Sequence, residues 1–310
     1  MLIRGLYRAS GAVVVTVAAA AAFAASAATA RPASSVLVYS CGSGFANLCQ
    51  INADGSGQKR LTSDGSSSKY VKKYNSPSLS RDGNKLAYLR GYQLHVLNRV
   101  TGHQTGFITN DAFLARISPD GTKVGDLEEF PEPSAPHSWV MTACIFNSNG
   151  LGPKAGRDCE GSTGSFGFTN SNRLLASVSD RFDPTSGRWE KGICLLDPVT
   201  TGCDSFVAFD LGHDLSDPAL SPNGKLLAVT RAVAGQTQGA IALYDYRTGK
   251  LVRALTSAAA DSGPVWSPDG SRLAFVHGAT TSSPRIYTVS VNGGAARRLV
   301  ASGRAVTWGR

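Results

Sequence analysis

Residues 263–300 read GPVWSPDGSRLAFVHGATTSSPRIYTVSVNGGAARRLV, and this stretch decides the fold. Its spacing predicts four short strands. Pro264-Val-Trp-Ser forms the first, and Pro268-Asp-Gly turns the chain. Proline presets φ at the second turn position, and glycine tolerates the positive φ that follows. Arg272-Leu-Ala-Phe-Val forms the second strand. Ile286-Tyr-Thr-Val-Ser-Val alternates with period two, Asn292-Gly-Gly closes a hairpin, and residues 296–300 form the fourth strand. Four such strands leave two unpaired edges and an unburied apolar face. The unit needs copies of itself.

The copies are present. Pro218-Ala-Leu-Ser-Pro-Asn-Gly-Lys-Leu-Leu-Ala-Val-Thr opens one, and Pro77-Ser-Leu-Ser-Arg-Asp-Gly-Asn-Lys-Leu-Ala-Tyr opens another. Ala115-Arg-Ile-Ser-Pro-Asp-Gly opens a third, and residues 166–178 carry a degenerate form with Asn170-Ser-Asn-Arg at the turn. The turns recur every 40–50 residues or so, the period of propeller blades. The first run, residues 36–62, lacks an innermost strand. The tail Ala305-Val-Thr-Trp308 matches the Pro264-Val-Trp position and is expected to supply it, closing the ring and removing an exposed edge. Six blades follow: 36–62 with the tail, 77–109, 115–160, 166–209, 218–256 and 264–300.

The pattern P-x-W-S-P-D-G-x-x-L-A-F followed by I-Y-x-x-x-x-x-G-G resembles the WD40-like (PD40) propeller repeats of the TolB family. The match is close at 264–275 and 286–294, good at 218–229 and 77–88, and weak between about 122 and 209. The resemblance implies an all-β, six-bladed β-propeller of four-stranded antiparallel blades. It also implies protein–protein contact in the cell envelope. Members of that family carry a further N-terminal α/β domain. Here the first strand-like run begins within a few residues of the expected cleavage site, so a single propeller domain, 31–310, is expected. Propellers of prolyl-oligopeptidase-like enzymes look similar, but their hydrolase domain is a separate α/β unit.

Residues 1–30 read as a targeting segment: Arg4 and Arg8, an uncharged run over 12–25, and small-x-small sites at Ala25-Ser-Ala27 and Ala28-Thr-Ala30. Cleavage after Ala30 is expected; retention as an N-terminal membrane anchor is the alternative. The product would be secreted or held in the periplasm or cell envelope. The precursor carries +9; removing Arg4 and Arg8 leaves 29 basic against 22 acidic residues, hence +7. A basic exported chain is drawn to anionic cell-wall polymer. No motif for nucleic acid is present, and export argues against that partner. An oxidising compartment makes the six cysteines read as local disulfides: Cys41 with Cys49, Cys144 with Cys159, Cys194 with Cys203. A metal site is the competing reading, but no pair has C-x-x-C spacing.

In a propeller, the loops between second and third strands share a face with the blade-to-blade connections. Binding residues are expected on that loop face and at the channel mouth. The candidates are Tyr70 and Tyr74 of the cluster Lys69-Tyr-Val-Lys-Lys-Tyr74, together with Asp111, His213, Asp217, Asp261 and His277. The competing readings are packing for the tyrosines and turn capping for the carboxylates. The acidic run Glu128-Glu-Phe-Pro-Glu132 reads as solvated charge on the same face. No cofactor is expected, although channel-mouth carboxylates could hold a cation. There is no G-x-S-x-G elbow and no H-E-x-x-H, so no catalytic residue is assigned and a binding or scaffolding module is expected, acting as a monomer on an envelope or extracellular protein. The alternative is a carbohydrate-active or lyase-type propeller enzyme with a channel-mouth, metal-dependent site. N-terminal sequencing of the exported protein should begin at or near Arg31; an intact Met1 would establish the anchored form instead.

Overall fold

The constraint that shapes the chain is the free edge of each four-stranded unit. A computed structural model describes residues 35–66, 73–107, 109, 111–131, 139–150, 158–162, 164–183, 187–196, 203–236, 238–257 and 260–310. Residues 1–30, read above as a targeting segment, and Tyr70 lie outside these residues. Six four-stranded antiparallel sheets are arranged radially as blades. Their inner strands are Arg304–Gly309, Tyr74–Leu79, Leu114–Ile117, Ser165–Phe168, His213–Leu220 and Ser262–Trp266. Each lies against the next around the channel, and Ser262–Trp266 lies against Arg304–Gly309. The expected closure is present: Leu37 pairs with Trp308 and Val38 with Thr307, so the C-terminal strand completes blade 1.

Apolar side chains fill the spaces between blades. Leu37, Tyr39 and Ile51 of blade 1 pack with Val276 and Ile286 of blade 6, so the seam between first and last blades is buried like the others. Outer edges are blunted. Lys59–Arg60 is two residues long and exposed, and Arg297–Val300 begins with two exposed arginines. Short, charged edge strands discourage pairing with another chain.

The turn between first and second strands repeats atom for atom. The Ser267 hydroxyl donates to Asp269 Oδ1 at 2.6 Å and accepts from the Arg272 amide at 3.0 Å, while the Ser271 amide donates to Asp269 at 3.0 Å. Ser80 with Asp82 and Ser118 with Asp120 do the same. In blade 5, Asn223 takes the acid's place, accepting from Ser221 at 2.8 Å and from the Lys225 amide at 3.0 Å. In the degenerate blade 4 turn, Asn172 stands where the others have glycine, at φ 63°. Asparagine is among the few residues other than glycine that enter this region readily.

The inner strands begin with a device the sequence did not announce. Ser76, Asp217, Gly263 and Ala305 have φ of 47°, 51°, 63° and 47°. Each sits where the ladder to the second strand slips register. These are bulges, which bend a strand and re-aim its neighbours. Proline follows in three of the four (Pro77, Pro218, Pro264), at a point where no ladder amide is needed.

The channel-side amides of the inner strands have no strand partner, and hydroxyls supply one. The Leu79 amide donates to Thr307 Oγ1 at 2.8 Å, and the Ala115 and Ile117 amides donate to Ser76 and Ser78 at 2.9 and 3.0 Å. The Asp217 amide donates to Ser165 at 2.8 Å, and the Gly263 amide to Thr230 Oγ1 at 3.1 Å. Buried amides must be satisfied, and here the preceding blade does it at four of the six seams.

Two outcomes test this account. Thr307→Val keeps the shape but leaves the Leu79 amide buried without an acceptor. It should cost about 1–3 kcal/mol and lower the melting temperature by several degrees, whereas Thr307→Ser should restore it; equal melting of all three would refute the role. The second concerns acid. The Ser267 hydroxyl, then the Ser271 amide, hold the Asp269 carboxyl below its ordinary range. At Asp82 and Asp120 burial pushes upward, but the donors together outweigh it and both are lowered. Carboxylates depressed in the fold add stability that is complete above the unfolded value, about 4, and drains as pH falls through the folded values. Asp269→Asn, copying blade 5, should melt near wild type at pH 7 and lose less stability below about pH 4. Parallel melting curves against pH would refute it.

Candidate functional site

Cys41–Cys49 and Cys194–Cys203 are disulfides with Cα separations of 5.9 and 5.7 Å, pinning neighbouring strands of blades 1 and 4. Cys144 is also disulfide-bonded, and its register partner is Cys159, whose side chain lies outside the described residues.

The loop face carries two carboxylate–histidine groups. Asp261, 3% exposed, lies 2.7 Å from Nδ1 of His277. The imidazole sits 4.8 Å from the Tyr287 ring. This pair ties the start of blade 6's inner strand to the end of its second strand. In blade 5, Asp210 accepts from Arg231 Nε and from the Tyr244 hydroxyl, both at 2.6 Å. His213 Nδ1 lies 3.1 Å from Arg231 Nη2 and 3.7 Å from Asp210. Burial pushes the Asp210 carboxyl up, but its donors and the neighbouring charges bring it below the ordinary value. Burial and the same carboxylate push the Tyr244 phenol well up.

Other candidates land differently. Asp111 is exposed on the connection to blade 3, at φ 42°. Tyr74 opens a strand instead of decorating a loop. It is 7% exposed, with its ring 5.8 Å from that of Tyr88 and the Arg90 guanidinium 5.4 Å from its centroid. Glu128 corrects the reading of a solvated acidic run. The strand Lys123–Pro131 extends through it, and its side chain, like that of Asp126, is 0% exposed. Donor atoms of Asp126, Glu128 and Cys144 lie within 4.8 Å of one another. Because Cys144 is disulfide-bonded, it has no thiolate to offer, and only two carboxylates remain for a cation.

Asp217 belongs to the channel. Its Oδ2 accepts from the Thr230 hydroxyl at 2.8 Å and faces the Gly263 amide at 3.3 Å. It lines a cavity of about 140 Å³ whose walls include Phe168, Trp266 and Trp308 and the turn residues Pro119, Pro222 and Pro268. The cavity therefore lies toward the turn side of the channel. Sequence reading looked for binding residues on the other face and did not single out Arg81 or Arg116, which line this cavity. Arg81 reaches across the channel to donate to Asn170 Oδ1 at 2.5 Å, and Asn170 bonds the Ser221 and Pro222 carbonyls. Burial lowers both guanidinium groups; nearby Arg310 adds to this at Arg81, and Asp217 opposes it at Arg116.

The loop face also exposes apolar side chains. Trp189, Leu211 and Val233 are 60%, 64% and 56% exposed. The Gly212 amide donates to Glu190 Oε1 at 2.8 Å, and the Gly212 carbonyl accepts from the Ala234 amide at 2.9 Å. Those bonds join Glu190, Gly212 and Ala234, the chain neighbours of the three exposed residues, on the rim between blades 4 and 5. Phe113, 45% exposed, stands edge-on to Tyr92 at 5.8 Å on the rim of blades 2 and 3.

No family model matches the chain. A stretch of 89 residues, 27% of the chain, is 30% identical to the uncharacterized peptidase YuxL of Bacillus subtilis (strain 168), 14% of whose length it covers. Among solved structures, TolB from Acinetobacter baumannii is similar with a TM-score of 0.66 and 18% identity, over 89% of this chain and 66% of that one. A putative TolB from Agrobacterium tumefaciens is similar with a TM-score of 0.59 and 15% identity, over 88% and 91%. An oligogalacturonate lyase in complex with manganese is similar with a TM-score of 0.51 and 15% identity, over 82% and 70%. The molecule is thus a six-bladed β-propeller with the fold seen in TolB structures.

Proposed function

We propose that this chain is an exported propeller that binds a protein of the cell envelope or extracellular space on its loop face, acting as a monomer. The observation that carries this is the exposed group Trp189, Leu211 and Val233 on the rim of blades 4 and 5. Large apolar side chains gathered at one rim, on loops held by a rigid scaffold, are the chemistry of a protein contact. The leader-like residues 1–30 and the disulfides support export. The charge of the mature chain adds attraction to anionic cell-wall polymer. What stands behind the carbohydrate-lyase alternative is a fold shared with an oligogalacturonate lyase.

The test is capture from an envelope fraction with the wild type and with Trp189→Ser/Leu211→Ser/Val233→Ser, mapped by crosslinking. Burying such anchors is worth about 2 kcal/mol or more, so the triple variant should lose a defined partner by tenfold or more while melting normally. Identical capture by both proteins would overturn the proposal.

A further inference from the structure

Six equivalent positions ring the channel cavity, each two residues before the turn serine or its counterpart: Ser78, Arg116, Gly167, Ala219, Val265 and Thr307. Five are small. Packing explains this, since a Cβ added at Gly167 would meet the Pro218 carbonyl oxygen at 2.2 Å. The sixth is an arginine, and it lines the same cavity.

A guanidinium has five donors. Among the described residues, Arg116 makes one hydrogen bond, from Nη1 to its neighbour's carbonyl, Ala115 O, at 3.0 Å, and no ion pair within 4.0 Å. Asp217 shares the cavity, but its Oδ2 is committed to Thr230 and Gly263. Arg81 adds a second cation to the same wall, tethered to Asn170. The cavity thus holds two guanidinium groups against one carboxylate, with Phe168, Trp266 and Trp308 also on its lining. A charge held partly away from water is costly unless paired.

The geometry points to an anion site in the turn-side half of the channel, where Arg116 takes a carboxylate through two of its free N–H groups. The planar fork matches a carboxylate in a way an ammonium cannot. The aromatic walls suit a small organic body behind that group. The carboxylate can belong to a free small acid or to the end of a peptide. This site lies on the opposite side of the ring from the rim proposed for protein binding and does not depend on it.

The experiment uses the mature protein, with Arg116→Ala and Arg116→Lys beside it. Alanine already stands at this position in blade 5, so Arg116→Ala should fold and melt no lower than wild type. The probes are sodium acetate, sodium benzoate, inorganic phosphate, sodium chloride at matched ionic strength, and one tripeptide as free acid and as C-terminal amide. Carboxylates should raise the wild-type melting temperature saturably, by roughly 5–10 °C at 100-fold above the dissociation constant. Arg116→Ala should abolish the shift, and Arg116→Lys should weaken binding about tenfold or more through loss of the fork. Stabilisation by acetate or benzoate assigns a free acid. Stabilisation only by the free-acid tripeptide, with none by its amide, assigns a chain terminus. Equal shifts in all three proteins, shifts with chloride, preference for phosphate, or no shift at all would each overturn the assignment.

Discussion

Everything in this ring turns on the amide row of an inner strand that has no further strand to pair with. A sheet of four strands has two such edges, and the radial arrangement turns one outward to water and one inward to the channel. The outward edge is short and charged, as at Lys59–Arg60. The inward edge cannot be treated that way, because amides along it are buried or half-buried. Serine and threonine hydroxyls of the preceding blade accept from those amides instead. The same bonds tie one blade to the next. Blade geometry and polar satisfaction are thus one problem with one solution.

That solution explains how much the sequence revealed. The turn Ser-Pro-Asp-Gly is local, since its serine, acid and glycine bond within five residues, and local chemistry reads directly from the chain. So do the repeats, the closing role of Trp308 and two of the disulfides. Tyr74 and Glu128 were harder for a stated reason. Both lie in strands that run past the point where turn residues suggested a loop, and a charged residue such as Glu128 gives no sign of burial on its own. Arg116 was legible only in part. Aligning the repeats shows one arginine among small residues, but only the assembled ring shows that all six of these positions line one cavity.

The two faces divide their chemistry. The loop face offers apolar side chains and carboxylate–histidine groups that are already internally paired, as at Asp261 with His277. The turn face offers a closed lattice of serine, acid and asparagine, with Arg81 and Asn170 crossing it and charge concentrated in the channel beneath. A surface that has satisfied its own polar groups can present hydrophobic contact to another protein without competing internal demands. A channel holding an excess of guanidinium cannot satisfy itself, and takes its balance from outside.

The closing strand has a consequence for the order of events during biogenesis. Val36 pairs with Gly309, so the first blade waits for residues more than two hundred and fifty positions later in synthesis. Contacts of such separation form late and slowly, because the entropy of the intervening chain must be lost before they return anything. The remaining blades can form hairpins early, but the ring stays open, with the apolar flank of blade 1 uncovered, until the last strand arrives. In the export proposed above, this delay acts as a timer: the architecture itself postpones ring closure until the last strand has emerged.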